Sequence, residues 1–368
     1  MKIAILGTRG IPNYYGGFEQ FAEFFSVYLV KHGHEVYCYN SHNHKFQEQT
    51  FHGVNLIHKH DPEYKYGTFG QFIYDYNCII DSRKRDFDII LQLGYTSNSV
   101  WCFLLPKKPI IITNMDGIEW KRSKYSKPVQ QFLRFAERLA AISSDYLVSD
   151  SLGIKKFLLE RYQKDSTYIA YGAHPFDAPN EEIIKQYQVE KQKYHMIMAR
   201  FEPENNLDMV LQGVALNEQD ATPILVIGNH NTKYGEFLKD KFKGHQKIRF
   251  IGGIYNIEHL NNLRYYSSIY FHGHSVGGTN PSLLEAMAAE TYIAAHNNIF
   301  NTHVLGEDAL YFGSATDVKD IIDGFEKHSS QRKHFEENNL QKIKTFYNWD
   351  NITDMYEKMF WEVINVKS

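Results

Sequence analysis

Apolar and polar positions along the chain fall into two repeating rhythms. Short runs rich in β-formers, at residues 2–6, 35–39, 55–58, 89–93, 110–114, 146–149 and 168–170, alternate with stretches whose apolar residues recur at helical spacing. Between the first two runs Phe18, Phe21, Ala22, Phe25 and Leu29 repeat every three to four residues and Gly33 follows as a stop, which predicts a helix and one complete βαβ unit. The rhythm restarts at residues 195–199 and continues through 224–227, 248–251, 269–271 and 292–295. Between the two series, Gly172-Ala173-His174-Pro175-Phe176-Asp177-Ala178-Pro179-Asn180 is rich in turn formers and reads as a linker. Alternating strands and helices predict parallel sheets. The fold class is therefore α/β, with two Rossmann-like domains at 1–174 and 175–345 and a helical segment at 346–368. Open parallel sheets take ligands beyond the carboxyl ends of their strands, so a site between two facing domains is expected.

Composition narrows the function classes. At 368 residues the chain exceeds one ordinary core, and 43% hydrophobic with 23% charged residues excludes a mainly disordered polymer. A formal net charge of -3 gives no global field for nucleic acid. Cys38, Cys78 and Cys102 lie far apart without metal-ligand spacing, so reduced thiols are expected. The run at 2–6 is too short for a signal peptide, and no apolar run reaches the roughly 20 residues of a membrane span. A cytoplasmic protein is expected, with contact at the inner face of the plasma membrane left open.

Three stretches carry chemistry. Gly7-Thr8-Arg9-Gly10-Ile11-Pro12-Asn13-Tyr14-Tyr15-Gly16-Gly17 joins the first strand to the first helix, and amides at Gly16 and Gly17 suit a diphosphate. Its glycine spacing is too long for a dinucleotide fingerprint, which argues against a nicotinamide cofactor. Arg200 and Asn205 lie in Ala199-Arg200-Phe201-Glu202-Pro203-Glu204-Asn205-Asn206, just past a strand, where an arginine forks onto phosphate oxygens or pairs with a neighbouring glutamate. Richest is Gly273-His274-Ser275-Val276-Gly277-Gly278-Thr279-Asn280-Pro281-Ser282-Leu283-Leu284-Glu285. Asn280 suits a helix N-cap and Pro281 the first helical position, so Gly277, Gly278 and Thr279 offer amides beside a positive helix end, with Ser282 in the first turn and His274 at the border. Glu285, one turn on, suits ribose hydroxyls.

These stretches resemble family four of the glycosyltransferases, the glycogen-synthase-like retaining enzymes of GT-B fold. Arg200 matches that family's arginine, Glu285 its second glutamate in L-E-A-M-A, and Tyr347-Asn348-Trp349 with the helical run 352–363 the segment that crosses back to the first domain. The family's lysine is Asn205 here, its first glutamate is Gly277, and its acceptor-side histidine is Asp116 in Asn114-Met115-Asp116-Gly117-Ile118-Glu119-Trp120. The wordings GTRGIPNYYGGFE, ARFEPENN and GGTNPSLLEAM are similar to a rhamnosyltransferase-like branch that builds bacterial surface polysaccharide. The resemblance implies a retaining, metal-independent hexosyltransferase with a nucleotide diphosphate sugar donor, dTDP-L-rhamnose, and a saccharide acceptor, lipid-diphosphate-linked. It implies Asp116, Arg200 and Glu285 as catalytic residues and no cofactor.

Other signals are weaker. Asp86-Phe87-Asp88 copies the DxD of metal-dependent transferases but directly precedes a strand, and the pairs His42/His44, His58/His60 and His272/His274 lack further ligands, so no metal is predicted. Glu119, Trp120, Lys121 and Arg122 open a basic, aromatic segment that suits an acceptor diphosphate or anionic lipid. Two further readings stay open: a sugar-nucleotide 2-epimerase of the same fold, and a non-catalytic nucleotide-sugar-binding protein.

Overall fold

The computed structural model describes residues 1–122, 124–218, 220–325 and 329–367. Ser123 of the basic segment lies outside the described residues.

Eight strands make the first sheet: β1 (Lys2–Leu6), β2 (Glu35–Ser41), β3 (Thr50–Phe51), β4 (Val54–Lys59), β5 (Ile89–Leu93), β6 (Ile110–Asn114), β7 (Tyr146–Ser149) and β8 (Thr167–Tyr168). They lie in the order β3-β4-β2-β1-β5-β6-β7-β8, and only the β3–β4 pair is antiparallel. The six strands of the second sheet are β9 (His195–Met198), β10 (Ile224–Ile227), β11 (Ile248–Gly252), β12 (Tyr270–His272), β13 (Ile293–His296) and β14 (Leu310–Phe312). Their order is β11-β10-β9-β12-β13-β14, parallel throughout. The continuous apolar run of β10, and β5 with Gln92 as its one polar residue, are buried at every position, which fits sheets covered by helices on both faces.

Two strands escape the sequence pattern. β3 has two residues, joined to β4 by His52 and Gly53 at φ of 45° and 87°, the positive-φ pair of a tight hairpin turn. β14 has three.

The chain forms two compact units. Among the described residues, one comprises Met1–Trp120, Ser126–Tyr171 and the segment from Trp349 on, the other Lys121–Tyr125 and Gly172–Asn348. The last helix, Trp349–Lys367, thus belongs to the first unit. It rests on the first helix, Gly17–Lys31, where Tyr356 meets Phe21 and Phe25 at ring separations of 5.4 and 4.8 Å and Trp349 meets Phe24 at 5.1 Å. Glu357 adds two polar ties, 2.6 Å from His32 Nδ1 and 2.8 Å from His34 Nε2. Among the described residues no helix is long and apolar enough to cross a membrane.

Candidate functional site

Strand order singles out one place in each sheet. The chain winds outward from β9 through β10 and β11, then returns to lay β12, β13 and β14 on the other side, so loops after β9 and β12 part at a topological switch point. Those loops are residues 199–206 and 273–280. They are laced together. Asn206 Nδ2 donates to Gly273 O at 2.8 Å, and Ser275 donates from its N–H (3.1 Å) and its hydroxyl (2.7 Å) to Glu204 O. Gly273 is required here, because a Cβ would stand 2.1 Å from Asn205 O.

Within that frame Arg200 is exposed and its guanidinium makes no hydrogen bond or ion pair with any described residue. Asn205 is buried, and its amide donates 2.7 Å to Arg200 O, so it braces the loop's backbone. Asn280 caps the helix Pro281–Ala288, its Oδ1 accepting from Ser282 N–H at 2.9 Å and from Ser282 Oγ at 2.8 Å. Both side chains are therefore committed to the cap. Gly277 has a φ of 128°, and among the described residues nothing accepts from the N–H of Gly277 or Gly278. Thr279 is buried. An unpaired cation thus shares a switch point with two unbonded amides and a helix N-terminus, an arrangement suited to an anion.

Glu285 is held from below. Arg264, fully buried on the helix Ile257–Tyr265, donates from Nη2 to Glu285 Oε2 at 2.6 Å and from Nη1 to Asn261 Oδ1 at 2.8 Å. Its Nε is buried without a partner. The motif reading missed Arg264. The available signal was a charge on the apolar face shared by Leu260 and Leu263. His274 stacks on His272 at 4.6 Å, and its carbonyl accepts from Asn298 and Asn301, each at 3.0 Å. Burial, then the Arg200 charge, lowers the His274 imidazole to about 3, so it is neutral near pH 7.

In the first unit the corresponding switch point lies between β1 and β5. Gly16 and Gly17 start the first helix, exposed and without a side-chain cap. Arg9 in the same loop is bonded through Nε and Nη2 to both oxygens of Glu63 at 2.8 Å, and its N–H donates to the buried Glu19 at 3.0 Å. Asp116, just past β6, has a φ of 47°, and its N–H donates to Asn114 Oδ1 at 3.0 Å. Left-handed backbone at a non-glycine residue is costly and concentrates at functional positions. Glu119 donates its N–H to Tyr95 Oη at 3.1 Å, while Trp120 gives its indole N–H to Glu137 at 3.1 Å and its ring face to Arg134 at 4.1 Å. Lys121 is exposed and Arg122 half-buried. Among the described residues one metal-type group occurs, His32, Asp354 and Glu357, with ligand atoms within 4.8 Å of one another, on the contact of the first and last helices.

Residues 179–342 match the family model described as glycosyl transferases group 1, and residues 104–174 match a domain of unknown function, DUF1972. An uncharacterized glycosyltransferase of Methanocaldococcus jannaschii is 22% identical over 405 residues, covering 96% of this chain and 98% of the relative. Among solved structures, sucrose-phosphate synthase from Thermosynechococcus elongatus superposes with a TM-score of 0.82 at 13% identity, over 99% of each chain. HepE of Anabaena, solved in complex with UDP-glucose, does so at 0.76 and 14% identity over 98% of this chain and 99% of that one. With a glycosyl transferases group 1 match on its second unit and this fold over nearly its whole length, the chain is a glycosyltransferase of GT-B type.

Proposed function

We propose that this glycosyltransferase is a retaining, metal-independent hexosyltransferase of surface polysaccharide synthesis. It moves L-rhamnose from dTDP-L-rhamnose to a lipid-diphosphate-linked saccharide. The observation that carries the reading is the unpaired Arg200 at the switch point that also presents the Gly277 and Gly278 amides. Negative charge builds on the leaving diphosphate as the glycosidic bond breaks, and each fixed donor aimed at it is worth about 3 kcal/mol. In this reading Glu285, fixed by Arg264, takes the ribose hydroxyls, and Asp116 steers the acceptor hydroxyl or steadies the cationic sugar. A nucleoside diphosphate donor is supported by HepE, whose structure holds UDP-glucose. Contact with the inner membrane face is supported by exposed rings in the first unit, Phe69 at 66% and Phe103 at 72% exposure.

A non-catalytic role is the second reading, favoured by one observation: Asn205, at the family's lysine position, is buried against its own loop. Thermal unfolding with dTDP, UDP and GDP decides the ligand class. A nucleotide at a hundred times its dissociation constant adds about 2.7 kcal/mol to the folded state. Stabilisation by dTDP above the others supports the donor assignment. No shift with any of the three removes the anion site built on Arg200.

A further inference from the structure

Glu137 is a carboxylate where the sequence pattern calls for an apolar residue. It lies on the helix Lys127–Ser143 in line with Leu133, Ala136, Ala140 and Ala141, and it is 2% exposed. A carboxylate taken out of water needs donors in its place. Three converge on it: Tyr162 Oη at 2.6 Å, Trp120 Nε1 at 3.1 Å and Tyr95 Oη at 3.4 Å, with Arg161 Nε at 4.0 Å.

Two of these donors belong to the grip on one segment. Tyr95, buried just past β5, has one hydroxyl proton, shared between Gly117 O at 3.1 Å and Glu137 at 3.4 Å, while its oxygen accepts the Glu119 N–H at 3.1 Å. Residues 117–120 are therefore held at the Gly117 carbonyl, the Glu119 amide and the Trp120 indole. Directly ahead of them stands Asp116 in its left-handed conformation, its N–H on Asn114 Oδ1, while Asn114 Nδ2 donates to Tyr356 Oη at 3.0 Å. Such a conformation persists only where its surroundings over-determine it. Here restraint comes from both sides, and the downstream half converges on Glu137.

We propose that Glu137 is a positioning residue for the acceptor step: through Tyr95 and Trp120 it fixes the 117–120 segment and thereby the place at which Asp116 is displayed. This rests on the reading of Asp116 as the residue that meets the acceptor. Glu137 touches no substrate.

The test is Glu137→Gln, which keeps the side chain's volume but turns an amide N–H₂ toward one of the converging donors. Hydrogen exchange at residues 115–120 should quicken at least tenfold, with exchange in β5, β6 and the loops at 199–206 and 273–280 unchanged and dTDP affinity within twofold. Turnover is read as dTDP release from dTDP-L-rhamnose on detergent-solubilised lipid-diphosphate saccharide. There kcat should fall at least tenfold with the donor KM unchanged. Trp120→Phe removes the indole N–H and one ring of the indole while keeping an aromatic face toward Arg134, and should give the same pattern at smaller size, which covers the case that Glu137→Gln does not fold. Wild-type exchange and kcat overturn the proposal, as does faster exchange spread over the whole first unit, the mark of a merely structural buried acid. Asp116→Asn separates the two claims: normal turnover in that variant removes the Asp116 reading, whereas a dead Asp116→Asn beside a normal Glu137→Gln removes the positioning role alone.

Discussion

The two switch points are built on one plan and finished differently. Each has a strand whose following loop closes against a neighbouring strand or loop: a Cβ on Gly7 would stand 2.2 Å from Leu93 O, and one on Gly273 2.1 Å from Asn205 O. In the first unit the loop's arginine is already neutralised, since Arg9 is bonded to both oxygens of Glu63 and a buried Glu19 sits beneath its amide. In the second, Arg200 stays unpaired, and the one acid in the adjoining helix, Glu285, is tied to Arg264 from the buried side. A shared switch-point plan therefore does not make equal anion sites. What separates them is whether the fold supplies its own counter-charge.

Removing the buried support should have the largest effect. Arg264→Met leaves Glu285 without its cation, and breaking a buried pair from one side costs about 3 kcal/mol. A fall in unfolding free energy of that order, seen as a lower denaturant midpoint and accompanied by weaker dTDP binding, is expected. If the protein loses nucleotide affinity with no loss of stability, Arg264 acts on the ligand and not through Glu285. Next in size is Arg200→Ala. An exposed, unpaired guanidinium adds little to the fold, so the melting temperature without ligand should stay within about a degree, while a charge-assisted contact of about 2 kcal/mol makes dTDP binding roughly thirtyfold weaker. Unchanged affinity would erase the contrast between the two loops.

The sequence showed most of the architecture, because parallel strands covered on both faces are continuous apolar runs and the helices between them keep a 3.6-residue period. It missed β3 and β14, of two and three residues, and read the equally short β8 and β12 with bounds shifted by one or two residues. At the candidate sites it picked out Arg200 and Gly277, which lie in the loops after β9 and β12, since glycine, proline and asparagine mark such turns. It assigned ligand roles to Asn205 and Ser282, whose side chains brace the Arg200 loop and the Asn280 cap. The residues that orient the others, Arg264 and Glu137, stayed hidden in helices as charges on apolar faces. A motif search looks at strand ends. A buried charge mid-helix is visible only to someone asking what neutralises it.

The smallest expected effect tests the first loop. Arg9, through its hydrogen bond, holds the Glu63 carboxyl below its usual value, so the folded state binds this proton less readily than the unfolded chain. The pair's contribution is then present above the ordinary glutamate value of about 4.3 and is lost as pH falls through the lower folded value. Glu63→Gln should cost no more than about 1 kcal/mol at pH 7, because the pair is only half-buried, and this gap to wild type should close as pH falls below about 4. Urea unfolding of both proteins across pH 3 to 7 measures it. Nucleotide affinity is the sharper readout. If the second loop alone carries the anion site, releasing Arg9 from Glu63 leaves dTDP binding unchanged. If binding tightens, the first loop holds a phosphate ligand in reserve, and the pairing that distinguishes the two switch points is a restraint on affinity and not an inert part of the fold.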